Sequence, residues 1–232
     1  MSILFSNPPW WENKESRGFL KKKRWRRGVR AGSRWPFTYI CKSKPDKPVK
    51  KDYVPYPFFL GYATTYLKNK VGDKDVFFRD SIALGDSYKT FFDYIEKIKN
   101  KIEYILLESA TPSWEHDLKL IKDIKKKYNY LKVIVVGPIA STFNKNNLNV
   151  DLFHAALKGE YEKNLYKIIQ GQSGVHEHDL LSLEEMNNSP FPYMDNQISD
   201  KYYDGNPIPM DKYLKQAHIW SSRGCPFKCI FC

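Results

Sequence analysis

The sequence predicts an α/β fold organised on a doubly wound parallel sheet. Two observations carry this. Short apolar runs alternate with longer segments whose apolar residues recur at helical spacing. The runs also end in small or polar residues, which suits strand ends that open along one ligand-binding edge.

Ser2 to Ser6 is the first apolar run, read as a central strand. Asn7-Pro8-Pro9 stops it, because proline neither continues a helix nor donates to a ladder. Residues 10–57 then form an insertion with no helical or alternating period. Between Trp11 and Val54 it carries fifteen basic against four acidic residues, so it holds nearly all of the net charge of +12. Its core, Lys21-Lys22-Lys23-Arg24-Trp25-Arg26-Arg27, interleaves arginine with tryptophan, a pattern that can neutralise and stack a single-stranded nucleic acid. The plainer expectation is a long functional loop whose basic groups are solvated, or meet an anionic cofactor or a neighbouring domain. Cys41, alone in this insertion, is expected to be a spectator thiol.

Pro57 to Lys70 has helical spacing and ends in basic residues before Gly72. Asp75 to Asp80 is the second strand. Tyr88 to Lys101 is an amphipathic helix with Phe91, Ile95 and Ile98 on one face. Tyr104 to Glu108 is a fully apolar strand until its last residue, and Ser109-Ala110-Thr111-Pro112-Ser113 turns from it into a helix over Trp114 to Tyr128. Lys132 to Val136 is the fourth strand, closing on Gly137-Pro138. Asp151 to Ala156 is a weaker fifth strand, and Gly159-Glu160-Tyr161-Glu162 leads into a helix ending near Gly171.

The predicted ligand edge thus carries Asn7, Pro8, Asp80, Ser109, Ala110, Thr111, Gly137, Pro138, Gly159 and Glu160. Small residues let a broad ligand approach the backbone. No GxGxxG follows any strand, which argues against a dinucleotide. A phosphorylation receiver would want an acid cluster after the first strand, where Asn7 stands instead.

From 172 to 216 the periodicity fades and prolines mix with Phe191, Tyr193, Tyr202 and Tyr203, as in a linker that packs. His176 and His178 lack a third ligand and are expected to be solvated. Ala217 to Ser222 is read as a strand that opens a second domain, 217–232. It delivers Arg223-Gly224-Cys225-Pro226-Phe227-Lys228-Cys229-Ile230-Phe231-Cys232.

Three cysteines spaced Cys-x₃-Cys-x₂-Cys are too close for an ordinary disulfide framework, and a lone zinc would want a fourth ligand. A 4Fe–4S cube held by three thiolates fits better, with one iron left open for chemistry. Such a cluster is loaded where thiols stay reduced. Met1 to Ser6 lacks the features of a signal peptide, and no apolar run is long enough to span a membrane, so a cytoplasmic location is expected.

The loop resembles that of radical S-adenosylmethionine (radical SAM) enzymes, down to the aromatic before the last cysteine. The resemblance implies that Cys225, Cys229 and Cys232 hold a 4Fe–4S cluster and that Phe231 lies against the adenine of S-adenosyl-L-methionine (SAM). Asn-Pro-Pro after the first strand, Ser-x-Thr after the third, Gly-Pro after the fourth and Gly-Glu-x-Glu after the fifth resemble the cobalamin-binding domain that precedes many radical SAM barrels. Gly28 to Pro36 is also similar to a segment of such proteins. Residues 1–171 would then be a flavodoxin-like domain of cobalamin-binding type, with Ser109 to Thr111 lining the pocket of the nucleotide tail. The Asp-x-His-x-x-Gly of methionine-synthase-type domains is absent, so a histidine below cobalt is not expected. His116 and His154 are expected to be surface or packing residues.

The implied activity is cobalamin-dependent radical SAM chemistry, most often methyl transfer to an unactivated carbon, with ring formation, rearrangement and thiolation as alternatives. An electron donor of flavodoxin or ferredoxin type is an implied partner. A barrel needs roughly two hundred residues, so 217–232 would be only its first strand and cluster loop. The chain is therefore expected to be an N-terminal fragment that does not cleave SAM by itself. The reading from a different class is a nucleic-acid-binding module that works through the basic insertion.

Overall fold

The computed structural model describes residues 2–15, 23–28, 38–49, 52–188, 191–196, 198–203, 219–220 and 222–223. Among them, β1 (Ile3–Asn7), β5 (Val76–Asp80), β6 (Tyr104–Glu108), β7 (Lys132–Val136), β8 (Ala155–Leu157) and β9 (Gly174–His176) form one sheet in the order β5-β1-β6-β7-β8-β9. All of its pairings are parallel. Counted along the sheet's own strands, the first five follow the flavodoxin-like order, with the direction of winding reversing between β1 and β6. β1 is interior, as its unbroken burial predicts.

Side chains alternate across the sheet with a period of two. Ile3, Phe5, Leu106, Ile134 and Val136 face α1 (Phe58–Val71) and α5 (Glu162–Ile169). Leu4, Ile105, Leu107, Val133 and Val135 face α3 (Tyr88–Ile98) and α4 (Trp114–Lys127). The predicted amphipathic helix buries Phe91, Ile95 and Ile98. Ser87 caps it, accepting from the Thr90 amide. Each fully buried leucine or isoleucine adds about 1.5–3 kcal/mol to the core, and cutting Leu106 back to alanine costs roughly 2–5 kcal/mol through the cavity it leaves. Gly72 ends α1 with φ 94°, and Lys68 and Lys70 occupy its last turn.

Four expectations need correction. Part of the insertion is ordered β-structure: β2 (Trp11–Glu15), β3 (Lys23–Gly28) and β4 (Thr38–Ile40) form an antiparallel sheet in the order β2-β3-β4. Its register sets Trp11 opposite Arg27 and Glu12 opposite Arg26. Gly28 permits this, because a Cβ there would lie 2.2 Å from the Trp10 ring. The fifth strand is shorter and later than predicted, since 151–153 make a turn before Ala155. A sixth strand, β9, lies in the stretch read as linker, which also holds a short helix, α6 (Leu183–Asn187), capped by Ser182. Ile219, Trp220, Ser222 and Arg223, expected to be in or just after a strand, have no ladder partners among the described residues. No helix among those residues is long and apolar enough to cross a membrane.

Candidate functional site

The C-terminal edge of the parallel sheet has a buried inner part and an exposed rim. At its inner end, the Asn7 amide donates to the Asp80 carboxylate at 3.1 Å. Asp80 is wholly buried and caps α2 (Ser81–Leu84) by accepting from the Ala83 amide at 3.0 Å. It also accepts from the Tyr202 hydroxyl at 3.1 Å. Burial raises its pKa to about 6 against the lowering effect of these donors and the nearby Arg27. Trp10, Tyr56 and Tyr202 pack over this end with Ile82 and Ala83. The strand ends of β1 and β5 are therefore covered by the protein's own aromatics. Pro8 is buried beside it.

Ser109 is also fully buried. Its hydroxyl donates to Asp117 at 2.5 Å, and Asp117 accepts from Ser113 as well. Gly137, at φ 88°, brings the next strand's end so close that a Cβ would sit 2.4 Å from the Ser109 carbonyl oxygen. This glycine serves the packing of two loops. Ala110 is buried, whereas Thr111, Pro138 and Gly159 are exposed and form the rim.

These positions fit a broad cofactor such as cobalamin only in part. The exposed rim offers small residues to the underside of a flat ligand. Asn7, Asp80 and Ser109 are covered by protein, so they support the rim from beneath. Two buried polar atoms there, the Asn7 side-chain oxygen and the Tyr161 hydroxyl, have no partner among the described residues. The His178 ring lies beside Gly159, within 2.7 Å of where its Cβ would be, so this histidine reaches the edge from the loop after β9. Of the other histidines, His116 packs against Trp10 at 5.8 Å and His154 bonds the Gln172 carbonyl, as expected for packing and surface roles.

Glu160 makes a contact the sequence did not announce. Arg223 donates to Glu162 at 2.6 Å and to Glu160 at 3.2 Å. Its side chain is 8% exposed, with 10% and 3% for the two glutamates. Burial alone would lower the arginine's pKa, but the Glu162 and Glu160 carboxylates outweigh it and hold it above its ordinary value. The guanidinium also lies over the Tyr62 ring at 4.8 Å and the Trp220 ring at 5.0 Å. Trp220 stacks on Phe58 and Tyr62 and meets Phe59 edge-on at 4.7 Å. Its amide donates to the Tyr62 hydroxyl at 2.9 Å. The first two turns of α1 and the start of α5 with the residues just before it thus grip the chain ahead of the cysteine loop. Sequence reasoning missed Tyr62, Trp220 and Glu162, whose only local signal was an acidic pair at a helix N-terminus, where the dipole favours it.

Cys225, Cys229, Cys232 and Phe231 lie outside the described residues. Among the described residues no group of three or more His, Cys, Asp or Glu is arranged to hold a metal ion. As a donor set, three thiolates suit iron–sulfur ligation. Cys41 is half-buried, with its thiol near the Trp25 and Ser43 carbonyls, and burial raises its pKa to about 11.

The tryptophans of the insertion are packing residues where they are described. Trp10 is 2% and Trp11 8% exposed. Trp11 meets Trp25 edge-on at 6.1 Å, donates to the Asp86 carbonyl at 2.8 Å, and lies under the Arg27 guanidinium. Arg27, 1% exposed, donates to the Ile82 carbonyl. Stacking of bases on Trp10 or Trp11 is ruled out by that burial. Away from this edge, an open cleft of about 630 Å³ lies between α1 and α6, lined by Tyr66, Lys70, Ser182 and Glu185 among others.

The chain matches no family model and no solved structure. Among curated proteins it is similar to an uncharacterized methyltransferase of Pyrococcus horikoshii, with 29% identity over 158 residues, covering 62% of this chain and 34% of that protein. The chain therefore spans about a third of the length of the relative it matches.

Proposed function

We propose that this chain is part of a cobalamin-dependent radical SAM enzyme that transfers a methyl group to an unactivated carbon. The observation that carries the reading is the Cys-x₃-Cys-x₂-Cys loop, whose approach is seated on the sheet by Arg223. The parallel sheet, the exposed rim at Thr111, Pro138 and Gly159, and the similarity to a protein named as a methyltransferase support it.

In this reading Cys225, Cys229 and Cys232 would hold a 4Fe–4S cluster with one iron left open for SAM, and Phe231 would contact the adenine. When bound, the cluster supplies the electron that cleaves SAM, and cobalamin supplies the methyl group. The chain's own residues seat and orient. The rim would seat the corrin, Ser109 and Gly137 hold the rim's loops together, and Glu160 and Glu162 keep the arginine ahead of the first cysteine in place. A flavodoxin- or ferredoxin-type donor delivers the electron.

Anaerobic loading with iron and sulfide tests this. About four irons per chain are expected and, after reduction with dithionite, an electron paramagnetic resonance signal that changes on adding SAM. Cys225→Ala, Cys229→Ala and Cys232→Ala should each lose the cluster. Hydroxocobalamin should be retained with a perturbed visible spectrum. A chain that takes up no iron, or whose iron survives loss of these cysteines, would overturn the reading.

A further inference from the structure

The Glu160–Glu162 pair makes physical sense only with a cation between the carboxylates. Two acids this buried, one residue apart along the chain, would repel each other in a poorly solvated place. Arg223 answers both from more than sixty residues away. Closing so long a loop onto one site costs entropy that specific contacts must offset. Those contacts include a main-chain bond, from the Trp220 amide to the Tyr62 hydroxyl, besides the ion pairs and the ring stacking. This is a built seat and not a chance surface ion pair.

We propose that Arg223 is a positioning residue. The two glutamates and the aromatic face of α1 fix the chain two residues ahead of Cys225, so that the cysteine loop keeps its metal only while the sheet domain grips it. The seat belongs to the same turn as Gly159, which lies on the rim where a cofactor would press. A shift of that turn therefore reaches the loop through one guanidinium. The anchoring is independent of what the loop binds, whereas its effect on a cluster rests on the function proposed above.

The test uses the full chain. Hydrogen exchange is followed over 219–223 in the wild type and in the Glu160→Gln/Glu162→Gln double variant. Breaking a buried pair of this kind is expected to raise exchange there by roughly a hundredfold, with β6 and β7 amides unchanged. Arg223→Lys keeps a cation but loses the planar fork and the ring stacking, and should give a smaller rise without loss of fold. Asp93→Asn, which removes the exposed Lys89–Asp93 pair on α3, should change nothing. The same proteins, loaded with iron and sulfide, are then challenged with a chelator. The double variant should lose its visible absorbance at least tenfold faster than wild type, by the loss of grip.

Unchanged exchange at 219–223 overturns the anchor. Raised exchange with unchanged iron retention overturns the positioning role and leaves a structural strap. A wild type that holds no iron overturns the function proposed above and the cluster role with it, while the exchange result still decides the anchor.

Discussion

The Asn7 side-chain amide donates to the Asp80 carboxylate across two neighbouring strand ends, inside the protein and out of reach of water. The bond closes part of the strand edge, and the burial of Asp80 sets a pH dependence. Asp80 keeps its proton up to about pH 6 in the folded chain, against about 4 in the unfolded one. The folded state binds the extra proton, so the stabilisation is complete below about pH 4 and is lost as pH rises through about 6. Asp80→Asn should remove this slope and gain roughly 1–3 kcal/mol over wild type at neutral pH. Urea denaturation of both proteins across that window checks it, and parallel curves would contradict it.

Gly137→Ala should destabilise the fold by roughly 2–4 kcal/mol. It combines φ 88° with ψ −174°, a region essentially reserved for glycine, and a Cβ would collide with the Ser109 carbonyl. Thermal unfolding reads the loss. An unchanged melting temperature would mean that the β6 and β7 loops are not packed as described.

Trp11→Ala should cost about 3 kcal/mol through the cavity and the lost Asp86 bond. The Arg27 guanidinium would also lose its ring. If the variant kept its stability yet lost a salt-sensitive gel shift with single-stranded RNA, Trp11 would be a binding residue and not a packing one.

Cys41 should react with a maleimide roughly a hundredfold more slowly than an unstructured cysteine at neutral pH, because its thiolate is scarce. Its pKa is pushed up to about 11 by burial and then by the Asp52 carboxylate. Mass spectrometry of peptides after timed labelling gives the rate, and rapid modification would place the thiol in solvent.

The central strands were legible almost to the residue. Tyr104–Glu108 and Lys132–Val136 are apolar runs of strand length, and such runs have few alternatives to a doubly covered sheet. β9 was invisible, because Gly-Val-His carries no period of its own and pairs only where β8 is waiting. The insertion misled for another reason. In β3 Trp25 and Arg26 are both half-buried and Arg27 is buried, so no alternation marks the strand and its most buried side chain is a charged one that burial patterns assign to solvent. Arg27 is core here with its guanidinium over the Trp11 ring and bonded to the Ile82 carbonyl, while its Nε has no partner among the described residues. At the site, topology correctly drew the strand ends to one edge. It could not tell which of them face outward, since Ser109 and Thr111 differ only in what packs on them. Nor does any local signal join Glu160 to Arg223, because their meeting depends on the path of the whole chain between.

Tyr202 is the residue that closes over Asp80, and it is made long after the strands it covers. As the chain emerges from the ribosome, the sheet can assemble while the carboxylate at the end of β5 is still hydrated and ionised. Drying of that point waits for the segment around Tyr202, so a cleavage between α6 and Tyr202 would leave the strands paired but their inner edge wet.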